Sequence, residues 1–328
     1  ALAGAEVSFV NSDACDYFFN VAASLSGDGL VAMLAGVAVA ACGNSLPASI
    51  AALCEGVKAD AGHKKIAASL KAADNALVVL GNTAGRHRAM SAVRSLAAAI
   101  ANATGATFGT VSEGPNSAGA ALAGVLPHRG LGGVQRAEPG RHAGDMLDAA
   151  LAVLMLVNVE PDADILATDD AVAKIRSQNF TVALTPFVSD ALLDAADLLL
   201  PVGTFAESSG TYVNAAGTWQ SFPGIANPIG EARPSWKVLR VIGNLLDAPG
   251  FEYVTSEEVL AELREQLGDV QPDNAYAGTV AIARPNGADA PADDVDIPIY
   301  SIDPVVRRAR ALQLTEAARR ARGEGEEQ

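Results

Sequence analysis

The residues best suited to chemistry lie in one stretch, "GTYVNAAGTWQSFPG", Gly210 to Gly224. Gly210, Thr211, Asn214, Gly217 and Gln220 could cradle a cofactor, while Tyr212 and Trp219 could pin the loop to a sheet. The same residues could build a well-ordered turn, with Gly210 and Gly217 at positive φ and Asn214 bonded to its own backbone. Three carboxylates, Asp190, Glu207 and Glu231, fall at helix starts nearby, where capping and ion pairing are the ordinary uses of an acid. No residue is expected to be catalytic. Metal chemistry has less support still: Cys15, Cys42 and Cys54 match no C-x-x-C spacing, and His63, His87, His128 and His142 form no H-x-x-x-H pair. The sparse, odd cysteine count fits a reducing compartment. A second loop, "LGNTAGRH" from Leu80, has phosphate-loop glycines but neither G-x-G-x-x-G nor G-K-[ST], so a dinucleotide reading rests on glycines alone.

These loops need elements to hold them. "NALVVLG" (75–81), "LAVLMLVNV" (151–159) and "FTVALTPF" (180–187) are apolar runs, each followed by a small-residue loop and a helical pattern. That alternation predicts a parallel sheet covered on both faces, with ligand crevices beyond the carboxyl ends of the strands: "LGNTAGRH", "VNVEPDAD" and "TPFVSD". Met90, Val93, Leu96, Ala97 and Ile100 recur at helical spacing, with Gly105 as C-cap. "DLLLPVG" (197–203) reads as a buried strand leaving the sheet, Ser189 as an N-cap and "SWKVLRVIGNLLD" as an amphipathic helix. Composition divides the chain into an α/β region, 1–248, and a tail, 249–328. The tail holds a charged helix (256–268), a Pro/Asp-rich extended linker (269–300) and a helix carrying six arginines, Arg307 to Arg322, suited to docking an acidic partner.

With 328 residues, half of them apolar and 19% charged, the chain is globular. A net charge of −15 argues against nucleic acid or an anionic membrane surface as partner. The most apolar segment, Gly29 to Gly43, falls short of the ~20 residues of a spanning helix and reads as a buried core helix, so no direct membrane insertion is expected. The chain opens on "ALAGAEVSFV", without a methionine or a secretory signal pattern, which suggests a piece of a larger protein.

The order "AADLLLP", Glu207, "GTYVNAAG", Gln220 and "EARPSWKVL" resembles the molybdopterin oxidoreductase superfamily, the group of formate dehydrogenase and DMSO reductase. "SEGPNSAGAALAGVLPHRG", "NPIGEARPSWKVLRVIGNLLD" and "DIPIYSIDPVVRRARALQLT" further resemble the large iron–sulfur subunit of bacterial NADH:quinone oxidoreductase, respiratory complex I. This resemblance implies Rossmann-like parallel layers with an extended C-terminal tail. It implies a structural, cofactor-free part of a proton-translocating enzyme, with iron–sulfur clusters in an N-terminal region outside this chain and no active site in this chain alone. Other peripheral-arm subunits would be its partners, on the cytoplasmic side of the bacterial inner membrane or the matrix side in mitochondria. Two departures from the superfamily point the same way. Ala216, Gly217 and Thr218 stand where Glu-Gly-Arg is common, removing a fork-shaped phosphate donor. After Asp247 no barrel-like strand pattern follows to close a pterin site. The loop Gly210, Thr211, Asn214, Gly217, Gln220 is then a vestige. The alternative is a fragment of an active molybdopterin-dependent oxidoreductase such as a formate dehydrogenase, which would carry molybdopterin.

Overall fold

The computed structural model describes residues 4–27, 29–85, 87, 89–111, 114–165, 170–270 and 300–321. Most of the expected linker (271–299) and Arg322 lie outside them. Two compact units form, one from residues 4–115, the other from 116–270 with 300–321.

The first unit is built around alanine. The helix Leu30–Cys42 packs against the helix Met90–Thr104, and Ala35, Ala38, Ala92 and Ala97 are fully buried between larger neighbours such as Val31, Val93 and Leu96. Small side chains let two helix backbones approach closely, so the low-complexity look of this region is a packing device. The segment from Gly29 to Gly43 is the buried core helix its composition predicts, and Gly105, at φ 75°, ends the second helix as expected. Strands β1 (Ser8–Asn11) and β2 (Ala23–Ser26) pair in parallel, as do β3 (Leu77–Leu80) and β4 (Thr107–Thr110).

The second unit holds a three-stranded parallel sheet, β5 (Leu154–Val157), β6 (Thr181–Thr185) and β7 (Leu198–Pro201), with β6 in the centre. The short helices Ala171–Arg176 and Asp190–Ala195 supply Ile175 and Leu192 to one face, against Leu154, Leu156 and Ala183. The helix Ser235–Leu245 covers the other, setting Val238, Leu239 and Ile242 against Val182, Leu184 and Leu200. Of the three strands, all among the described residues, β6 is buried along its whole length while β5 and β7 are not. The expected cover on both faces is present for this sheet but incomplete along single strands: Met155 and Val157 of the edge strand β5, and Leu77 and Val79 of β3, are exposed. The expected buried strand "DLLLP" is corrected. β7 is an edge strand, with Leu198 42% exposed, and Pro201 is tolerated there because an edge strand need not donate on its outer side.

Next comes an antiparallel hairpin, β8 (Gly210–Val213) and β9 (Trp219–Phe222). The helix Ser256–Leu267 follows, started by a capping box between Thr255 and Glu258. The arginine-rich end forms three short helices, Pro304–Arg307, Arg310–Gln313 and Glu316–Ala321, rather than one. Asp303 caps the first by accepting from the N–H groups of Val305 and Val306, and Ala309, at ψ 97°, turns the chain out of helix after Arg308. Among the described residues, no helix is long and apolar enough to cross a membrane.

Candidate functional site

Two places in the second unit gather the chemistry-bearing residues. The first is the hairpin. Asn214 Oδ1 accepts from the N–H groups of Ala216 (3.0 Å) and Thr218 (2.9 Å), while Gly217 takes φ 79° and donates its N–H to the Asn214 carbonyl. The loop closes on itself, as a turn reading of Asn214 and Gly217 predicts. Gly210 has no positive φ. A Cβ there would stand 3.0 Å from the Phe222 ring, so glycine gives clearance to the cross-strand aromatic and does not serve a backbone angle. Thr211 and Ser221 hydroxyls bond each other at 2.9 Å, and Gln220 is exposed, its Oε1 3.5 Å from Asn214 Nδ2.

The two aromatics do not pin the loop to the parallel sheet. Tyr212 sits edge-on to Phe222 within the hairpin, and Trp219 packs with Leu122, Val213 and Leu267 under the Arg264 guanidinium, 5.0 Å from its ring centre. Distant motifs meet here as well. Asn116 Oδ1 accepts from Val213 N–H at 2.8 Å, and Gly119 leaves room for that carboxamide, since a Cβ would stand 2.1 Å from it. Gly203 N–H donates to the Arg233 carbonyl, joining "LLLPVG" to "EARPSW". Beside the hairpin, Gly210, Thr211, Phe222, Ser256, Glu257 and Leu260 line an open cleft of about 260 Å³. Small-molecule pockets run roughly 300–1,000 Å³, so the cleft is small, and its hydroxyls are mutually engaged, Ser256 with Ser209 at 2.8 Å.

The second place lies beyond the carboxyl ends of β5 and β6. Glu160, only 6% exposed at its side chain, faces two arginines from the C-terminal segment. Arg308 donates to it through both terminal nitrogens, at 2.8 and 2.9 Å, and lays its guanidinium 4.2 Å from the Phe187 ring centre. Arg307 Nη1 makes an ion-pair contact of 2.9 Å with Glu160, outside hydrogen-bonding direction, and Nη2 donates to Asp164 at 2.7 Å. Burial pushes the Glu160 carboxyl up, but the hydrogen bond from Arg308 and the charges of Arg307 and Arg308 outweigh it and hold it below the usual glutamate value. Two of the six arginines suited by sequence to an acidic partner, Arg307 and Arg308, are thus paired with acids of their own unit.

The remaining candidates stay apart. Glu207 caps a single turn, its Oε2 accepting from the N–H (2.7 Å) and hydroxyl (3.0 Å) of Thr204. Asp190 is exposed in the first turn of its helix, behind Ser189, which accepts from Leu192 N–H, and Glu231 is exposed in a loop. Cys15 is exposed, Cys42 half-buried and Cys54 buried, its thiol pushed up to about 11 by burial and by Cys42, which suits neither a metal ligand nor a nucleophile. His63 and His142 accept backbone N–H groups at helix starts, and His87 Nδ1 accepts from Ala89. Among the described residues, no three His, Cys, Asp or Glu side chains group to hold a metal. In "LGNTAGRH", residues 82–85 form one helical turn.

Glu160 and Asp164 do not stand out as candidates in the sequence. A signal exists: three acids within five residues, Glu160, Asp162 and Asp164, directly after a strand, and the paired "RR" of opposite sign far downstream.

No protein of curated function matches the sequence. Among solved structures, a chain of the formyltransferase/hydrolase complex from Methylorubrum extorquens, determined with methylofuran, is similar at a TM-score of 0.45 with 17% identity. The match covers 81% of this chain and 66% of that one. A family model described as molybdopterin oxidoreductase matches residues 48–245. With more than half of its length matched and with parallel α/β layers in both units, this chain belongs to the molybdopterin oxidoreductase family.

Proposed function

We propose that this chain is a non-catalytic, cofactor-free member of the family, the molybdopterin-oxidoreductase-like part of the large iron–sulfur subunit of NADH:quinone oxidoreductase. It would support electron transfer carried by iron–sulfur clusters outside it. The single observation that carries the reading is the self-closure of the loop at Asn214. Its carboxamide oxygen already accepts two backbone N–H groups of its own turn, and Thr218 stands where a guanidinium would reach out. The residues present do not fit a pterin cofactor. The hairpin cleft is small with its hydroxyls satisfied, and the crevice beyond β5 and β6 is filled by Arg307 and Arg308. The resemblance of "NPIGEARPSWKVLRVIGNLLD" and "DIPIYSIDPVVRRARALQLT" to that large subunit supports the finer assignment. Partners would be other peripheral-arm subunits, and the location the cytoplasmic face of the bacterial inner membrane, or the matrix face in mitochondria. Membranes expressing the full-length tagged protein should yield it in native gels together with the NADH-oxidising band, with substoichiometric molybdenum. Migration apart from that band, with one molybdenum per chain, would instead establish the second reading, an active molybdopterin-dependent oxidoreductase such as a formate dehydrogenase, which family membership favours.

A further inference from the structure

In a doubly wound sheet the space beyond the carboxyl ends of the strands is where ligands bind. Here that space between the loops after β5 and β6 is taken by side chains 143 and 148 positions away in sequence. The fit has the features of ligand recognition. One guanidinium is gripped at both ends by a buried carboxylate and stacked on an aromatic face, and its neighbour bridges the same carboxylate to Asp164. A lysine could supply the charge but not the fork or the stacking. The segment buries little apolar surface fully. Among its described residues, only Ala318 is a buried apolar side chain, while Ile302 and Leu314 are more than half exposed.

We propose that Glu160, Asp164 and Phe187 form a binding site for an arginine pair, and that residues 300–313 are its ligand, an internal plug held mainly by charge. The sheet's crevice is closed by this plug and opens when the plug leaves. Attachment through ion pairs is weakened by salt, whereas attachment through apolar burial is not. This concerns contacts within one unit and stands whether or not the chain assembles into complex I.

Hydrogen exchange on the full-length chain tests it. Arg308→Glu should speed exchange over residues 303–313 and the loop 158–165 by about tenfold, the change that ~1.4 kcal/mol produces. Exchange in β6 should stay slow. Raising the salt concentration should move the wild type toward the variant. Arg310→Glu, on an exposed neighbour of the same segment, should change nothing. Pairing Arg308→Glu with Glu160→Arg should restore slow exchange over 303–313. Unchanged exchange over 303–313 in Arg308→Glu, or a loss of protection that spreads equally through β6, would overturn the proposal. The second result would make the pair a structural staple, not a ligand.

Discussion

The hairpin at Asn214 and the crevice at Glu160 are both positions where this fold could hold a ligand, and both are closed by the chain itself. They are closed by different physics. At the hairpin, one side chain satisfies N–H groups two and four residues away, and the cost of ordering so short a loop is small. At the crevice, a carboxylate removed from water depends on cations brought from 143 to 148 residues downstream, and both desolvation and chain ordering oppose the contact. The first closure is built into a turn. The second is a long-range pairing of charges, and it is the one that conditions can undo.

The largest expected effect follows from that difference. Glu160→Ala leaves two guanidinium groups facing each other without their shared acid. Removing one member of a buried pair costs roughly 3–5 kcal/mol, and partial exposure of Arg308, 32% at its side chain, should bring this toward about 2–3 kcal/mol by denaturant midpoint. Arg308→Ala should cost less, since Arg307 remains on the acid. If Glu160→Ala cost no more than Asn214→Ala, the contrast between the two closures would be broken. Acid sharpens the same contrast. Because the folded Glu160 carboxyl lies below its ordinary 4.5, unfolding there takes up a proton. The crevice's contribution is complete above that ordinary value and fades as the pH falls through the lowered folded value. Asp162 and Asp164 add negative charge beside the same arginines. Protection from exchange over 303–313, relative to the unstructured rate at each pH, should fall between pH 7 and pH 3 before that of the hairpin, whose two Asn214 bonds involve no titrating group.

Smaller effects are expected at the hairpin. Gly210→Val would drive a branched side chain into Phe222, where even a Cβ stands at 3.0 Å, and should cost about 1–3 kcal/mol by overpacking. Asn214→Ala frees two N–H groups in a half-exposed loop that water can reach, so about 1 kcal/mol is expected. Neither variant should change exchange at 303–313. A rise there would show that the two closures are coupled, since additivity holds for sites that share no partners.

Sequence makes these regions unequally legible for the same physical reason. Asn214 and Gly217 lie within one turn, where side-chain chemistry predicts backbone geometry, and the turn reading holds. Gly210 serves a different need from the one its type suggests: positive φ is a local requirement that sequence can signal, but clearance for Phe222 arises only once β8 and β9 pair. Apolar runs likewise locate the strands without telling centre from edge. Val182 and Leu184 look no different in sequence from Leu198 and Leu199, yet the first pair is buried and Leu198 is exposed. The arginine cluster is visible as a charge run, but its acid partners are not, because nothing local links Arg308 to Glu160 across 148 residues.

Glu207 gives the smallest effect and the finest test of the reading that the family loop performs no chemistry here. Its carboxylate accepts from the N–H and the hydroxyl of Thr204, a capping box on a single turn. Glu207→Gln keeps an acceptor oxygen and loses only the charge, so a loss of about 0.5 kcal/mol is expected, a fall of ~1–2 °C in Tm for a unit of this size. A carboxylate acting on a substrate would behave otherwise. Its amide could hold the same hydrogen bonds and the same fold while losing proton transfer, worth roughly 10²-fold or more in rate. A fully assembled Glu207→Gln complex that oxidises NADH at the wild-type rate, with that small drop in Tm, keeps Glu207 among the structural caps. The same assembly with turnover cut a hundredfold would return the hairpin region to the list of working sites.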